Sequence, residues 1–83
     1  MYIHLGNNVV ISAHSIIAIL NIESPYSEDV EDVIHVALDK KNLVRVSENT
    51  KEKSLVICDD NVYISPISST TLYKRSFNQY KEV

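Results

Sequence analysis

The chain has 83 residues, one cysteine, one glycine and no tryptophan, and its eleven acids against eight bases give a formal net charge of −3. A chain of this size forms one small domain that buries only about 60% of the surface its unfolded form exposes. A single cysteine excludes an internal disulfide and fits a reducing cytoplasm, so a metal or oligomerisation remains as the usual supplement to a small core. The acidic balance weighs against nonspecific attraction to nucleic acid.

Met1-Tyr2-Ile3-His4-Leu5, Gly6-Asn7-Asn8 and Val9-Val10-Ile11-Ser12 read as a β-hairpin, because glycine reaches positive φ freely and asparagine tolerates it. The domain is expected to begin at once, with no leader: the segment from Tyr2 has no basic n-region, long apolar run or small-residue cleavage site. Ser12-Ala13-His14-Ser15 is a polar break. Ile16-Ile17-Ala18-Ile19-Leu20-Asn21-Ile22, apolar at all but one position, reads as a strand whose two faces both need cover.

Ser27 is expected to N-cap a helix over residues 27–41, with Glu28, Asp29, Glu31 and Asp32 beside the positive end of its dipole. Val30, Val33, Ile34, Ala37 and Leu38 follow the spacing of one helical face, and Asn42 is a candidate left-handed cap behind Lys40 and Lys41. Leu43-Val44-Arg45-Val46-Ser47 alternates as a strand, followed by a charged connection over residues 48–53. Ser54–Cys58 and Val62–Ser65 flank Asp59-Asp60-Asn61 as a second hairpin, which Pro66 ends. Ser68-Ser69-Thr70-Thr71 supplies capping hydroxyls for a helix over about 70–81, in which Tyr73, Phe77 and Tyr80 form an aromatic stripe. The order ββ, β, α, β, ββ, α predicts a single α+β domain over residues 1–83, built on a small, mainly antiparallel sheet. No run approaches the roughly 18 apolar residues of a membrane span, so no membrane partner is expected.

Catalytic chemistry is not visible. The one glycine sits in the first turn, which leaves none for a nucleophile elbow or a phosphate-cradling loop. His4, His14 and His35 fall in a strand, a loop and a helix without the paired spacing of a zinc site, so no metal or cofactor is expected. Asp59-Asp60-Asn61 lacks the glycine and distal glutamate of a calcium loop and reads as turn chemistry. Cys58, ending an apolar strand, reads as a small hydrophobe. Charge is uneven: residues 51–83 hold five bases and four acids, while residues 1–50 hold three bases and seven acids. Lys51 and Lys53, with Arg45 on the strand before them, can present cations to phosphate oxygens. On residues alone an ordinary solvated loop is the favoured reading, since so few cations make few phosphate contacts. Repetition in a ring would multiply each weak patch.

Three segments agree in order and spacing with one family: Met1-Tyr2-Ile3-His4-Leu5-Gly6, Ile16-Ile17-Ala18-Ile19-Leu20, and residues 59–68, Asp59-Asp60-Asn61-Val62-Tyr63-Ile64-Ser65-Pro66-Ile67-Ser68. On these the chain resembles the RemA-like family of spore-forming Gram-positive bacteria, from residue 1 to about Arg75. The resemblance implies a small, non-enzymatic cytoplasmic regulator of biofilm matrix genes, with a LytTR-like fold that assembles into rings and binds DNA as a homo-oligomer. It also implies arginines just after the second strand and in the loop before the strand matching residues 55–58. Here the first position falls on His14, and the loop holds Thr50, Lys51, Glu52 and Lys53, so the charge is thinner. The expected DNA-backbone contacts are therefore Lys51 and Lys53, with His14 and Arg45 nearby. The alternative is an oligomer that acts through a protein partner, such as a RemA-like paralogue, without touching DNA.

Overall fold

The computed structural model describes the backbone of residues 1–23, 25, 27–48 and 50–81, and side chains as far as Ser76. Its elements are β1 (Tyr2–Gly6), β2 (Val9–Ser12), a 3-10 turn (Ala13–Ser15), β3 (Ile16–Asn21), α1 (Glu28–Asp39), β4 (Leu43–Arg45), β5 (Ser54–Cys58), β6 (Val62–Ser65) and α2 (Ser69–Lys81). Strands β1 and β2 form an antiparallel hairpin, and the other four form a sheet in the order β3-β5-β6-β4. The β3–β5 and β5–β6 pairs are antiparallel; β4 lies parallel to β6. The α+β class and the element order expected from the sequence both hold.

The first turn uses positive φ throughout, at 110° for Gly6, 45° for Asn7 and 67° for Asn8. Gly6 is also a point of close approach, since a Cβ there would lie 3.3 Å from Cγ of Pro66 and 3.6 Å from Val46. Strand alternation then sends Ile3, Leu5 and Ile11 inward and leaves Tyr2, His4 and Val10 exposed.

Helix α1 starts where Ser27 accepts a hydrogen bond from the Val30 amide at 3.4 Å, with Glu28, Asp29 and Glu31 in its first turn. Its end differs from the expectation. Lys41, not Asn42, holds the left-handed conformation (φ 59°), and the Lys41 and Asn42 amides donate to Leu38 and Ala37 in a Schellman closure. Asn42 is instead used as a bridge: its Nδ2 donates to the Asp60 carbonyl at 3.2 Å, and its own carbonyl accepts from Val62 at 2.9 Å. The residue just past the helix is thereby tied to the second hairpin. Leu38, expected on the apolar face, points outward and is 56% exposed.

Two cores lie on opposite faces of the sheet. Ile3, Leu5, Ile11, Ile19, Val46, Val56, Cys58 and Leu72 gather the first hairpin, the sheet and α2. Ile22, Val30, Ala37, Leu55, Val62 and Ile64 pack α1 on the other side. Strand β5 is central, and its adjacent residues Leu55 and Val56 are fully buried in different cores. The run that became β3 is different: it lies at the edge, with Ile19 and Ile22 buried but Ile17 69% exposed. Its ladder shifts register between Ile16 and Ala18, so Ile17 sits in a bulge.

Two buried serines bind the layers together. Ser65 Oγ donates to the Leu5 carbonyl at 2.7 Å and accepts from the Ile67 amide at 3.0 Å, while Ser54 Oγ donates to the Ile67 carbonyl at 2.7 Å. Asn7 Nδ2 reaches the Val46 carbonyl at 3.0 Å, and Arg75 reaches the His4 carbonyl at 2.7 Å. Ser68 caps α2, accepting from the Thr71 amide at 3.2 Å, and the helix begins one residue earlier than expected. Of the aromatic stripe, Tyr73 donates its hydroxyl to the Ile19 carbonyl at 3.2 Å; the Phe77 and Tyr80 side chains lie outside the described residues. Among the described residues, no helix is long and apolar enough to cross a membrane.

Candidate nucleic-acid interface

The connection into β5 is anchored by its backbone. The Lys53 amide donates to Ser65 at 2.9 Å, and the Lys53 carbonyl accepts from Ile22 at 3.1 Å, so residue 53 bridges the ends of β6 and β3. Arg45 pairs in register with Ile64, one residue before Ser65. This places Arg45, Lys51 and Lys53 at the same end of the sheet. Their local charge is mixed, because the Arg45 guanidinium forms an ion pair with Glu52. Lys51 is exposed and Lys53 half-buried. The end therefore carries two lysines on a fixed base beside an arginine that shares its charge with an acid.

His14 does not join them within one protomer. It is exposed in the 3-10 turn ahead of β3, whose first residue pairs with Cys58, and the neighbouring Ser15 carbonyl accepts from Asp59 at 3.1 Å. Lys53 lies five positions before Cys58 along the β5 segment, and five steps at about 3.3 Å each span roughly 17 Å. The expectation of His14 near the lysines is thus corrected: antiparallel pairing of β3 with β5 carries the start of β3 to the opposite end, beside exposed Asp59 and Asp60.

Among the described residues, no group of three or more His, Cys, Asp and Glu side chains is placed to hold a metal ion. His4 and His35 are exposed on separate elements. The Asp59-Asp60-Asn61 segment closes as a turn, with the Cys58 amide donating to Asn61 at 2.9 Å. Burial pushes the Cys58 thiol above its ordinary range, the charges of Asp59 and Asp60 push the same way, and a hydrogen bond with Ser15 opposes them. That thiol stays protonated and is a poor nucleophile at neutral pH. A groove of about 380 Å³ runs between α1 and the second hairpin, with Val36, Ala37, Asn42 and Val62 among its walls.

Residues 2–76 match the family model described as RemA-like, extracellular matrix regulatory protein A-like. The chain belongs to the RemA-like family. It is 40% identical over 76 residues to Extracellular matrix regulatory protein B of Bacillus subtilis, covering 92% of this chain and 90% of that protein. It is also 29% identical over 79 residues to proteins of Bacillus cytotoxicus and Bacillus mycoides, each named only as a regulatory protein, with 94% of this chain and 87% of each relative covered. The RemA-like match takes in both hairpins, α1 and the start of α2, and so every residue of the candidate interface.

Proposed function

We propose that this chain is a non-enzymatic, cytoplasmic transcriptional regulator of extracellular matrix genes that assembles with copies of itself into a ring and binds DNA through its backbone phosphates. The similarity to a protein named for matrix regulation supports the first half of this reading. The observation that carries the second is the shared placement of Lys51, Lys53 and Arg45 at one anchored end of the sheet. In this reading the fold works as a LytTR-like DNA-binding domain. One protomer neutralises few phosphates and binds weakly at moderate salt. A ring presents the same lysines many times at high effective concentration and turns weak contacts into useful affinity. His14 joins that surface only across a boundary between protomers.

A second reading is favoured by the Arg45–Glu52 ion pair and the net charge of −3: an oligomer that docks on a protein partner, such as a RemA-like paralogue, and leaves DNA to it. Measuring absolute mass in solution and then titrating duplex DNA at low and moderate salt separates the two. The DNA reading expects a salt-sensitive affinity that Lys51→Glu, Lys53→Glu abolishes with no change in mass. An assembled wild type that fails to bind DNA at low salt overturns it in favour of the second.

A further inference from the structure

Two grooves of unlike character open on the described surface. The one between β3 and α2 is small, about 260 Å³, and its walls, Ile17 and Tyr73 among them, carry no charge. The one between α1 and the second hairpin, about 380 Å³, falls within the roughly 300–1,000 Å³ of small-molecule sites. Val33, Val36, Ala37, Ile57 and Val62 give it an apolar lining, and Val36 is 51% exposed, so that lining is open to solvent. Its polar groups are few. Asp32 and Lys40 stand two helical turns apart on the row that carries Val36, roughly 12 Å, too far to pair with each other. Asp59 lines the hairpin side, and among the described residues none of these three charges enters an ion pair. Asn42 adds an acceptor. The Asp60 carbonyl can only accept, so it fixes Nδ2 of Asn42 on its own side, while the Asn42 backbone is held by Ala37 and Val62. Oδ1 is left without a partner, alone among the buried side-chain nitrogens and oxygens described. A buried acceptor that meets no donor is a cost the fold leaves uncompensated.

We propose that the groove between α1 and the second hairpin binds a small organic cation carrying N–H donors on an apolar body, an aryl or alkyl amine or amidine. The valine and isoleucine lining takes the hydrocarbon part. The carboxylates of Asp32 and Asp59 only accept, and they outnumber the one ammonium of Lys40, which sits on a flexible four-carbon stem and can turn into water. Asn42 Oδ1 lacks what such a ligand brings, an N–H. An anion would meet two unpaired carboxylates, and a hydrocarbon without donors would leave every acceptor of the groove unused. The groove lies at the Cys58–Asp59 end of the second hairpin, away from Lys51 and Lys53, so this site is independent of DNA binding.

Benzamidine, benzamide and benzoate share one shape and differ in charge, which makes them direct probes. Titrated into the isotope-labelled full chain and followed by two-dimensional NMR, benzamidine is expected to saturate with a Kd of about 1 mM. It should shift the backbone amides of Val36, Ala37 and Val62 together with the Asn42 side-chain amide. Benzamide should bind at least about threefold more weakly, and benzoate not measurably. Asp32→Asn combined with Asp59→Asn, both at exposed positions, should weaken benzamidine about fivefold or more. Glu31→Gln, on the same helix but outside the groove, should leave it unchanged. The proposal is overturned if benzamidine shifts none of these signals by about 10 mM, if benzamide or benzoate binds as tightly, or if the double variant binds benzamidine like wild type.

Discussion

Arg45 and Val46 are neighbours in the chain, as are Lys53 and Ser54, yet each pair divides between two regions with opposite physics. Val46 and Ser54 lie in a buried seam where the first hairpin meets the sheet, held by Ser65, Asn7 and the close approach of Gly6 to Pro66. Arg45 and Lys53 face the solvated end, where charge is loosely held and shared with Glu52. The difference teaches that the candidate interface is a thin layer of charge on a stiff base. Changes in the seam should alter stability, and changes in the charged layer should alter binding while leaving the fold in place.

The largest effects should come from the buried anchors of the sheet, apolar and polar. Leu55→Ala removes a fully buried side chain from the central strand and is expected to cost about 2–5 kcal/mol. Ser65→Ala leaves the Leu5 carbonyl and the Ile67 amide without their shared partner in a buried site, at about 1–3 kcal/mol. Urea denaturation of each variant measures these losses. A Ser65→Ala change below about 0.5 kcal/mol would mean that the serine is not what holds the hairpin to the sheet.

Gly6→Ala tests the same seam at its tightest point and should cost about 1–3 kcal/mol, because φ near 110° is strained for any side chain. The new methyl would also press on Pro66, so the loss should exceed that for Asn8→Ala, which sits exposed in the same turn. Equal losses at the two positions would assign the cost to the turn alone and remove Gly6 from the seam.

Much of this architecture was legible because it is written in local physics. Gly6-Asn7-Asn8, the Ser27 cap with its acidic first turn, and the Asp59-Asp60-Asn61 turn each act within a few residues, and each appears where the sequence places it. What the sequence left open is long-range. Nothing near Ile16 says that its strand will lie at an edge, and the alternation of Leu43 to Arg45 does not say that β4 will pair parallel to β6. Ser54 and Ser65 read as strand ends, although they pair with each other and are fully buried. The candidate site divides in the same way. Lys51 and Lys53 share one end with Arg45 because the chain is short between them, whereas His14 was separated from them by a pairing that only the fold decides. Glu52 lies between the two lysines in the sequence, but its partnership with Arg45, seven residues away, required the return of the chain.

That partnership supports the smallest expected change in stability and the sharpest test of the comparison. With side chains 55% and 35% exposed, the Arg45–Glu52 pair sits largely in water, and such pairs contribute about 0.2–1 kcal/mol. A double-mutant cycle of Arg45→Ala and Glu52→Ala should give a coupling in that range that shrinks as salt is added. If the charged layer binds phosphate, Glu52→Gln should also raise DNA affinity several-fold at low salt, because it frees the guanidinium and removes a repelling charge without disturbing the backbone clamp at Lys53. If the layer is a docking surface for a protein instead, the same variant should leave DNA affinity at zero. Glu52 then belongs to the recognised surface, and its neutralisation should weaken the partner complex. One conservative substitution moves the two readings in opposite directions while the fold beneath it stays the same.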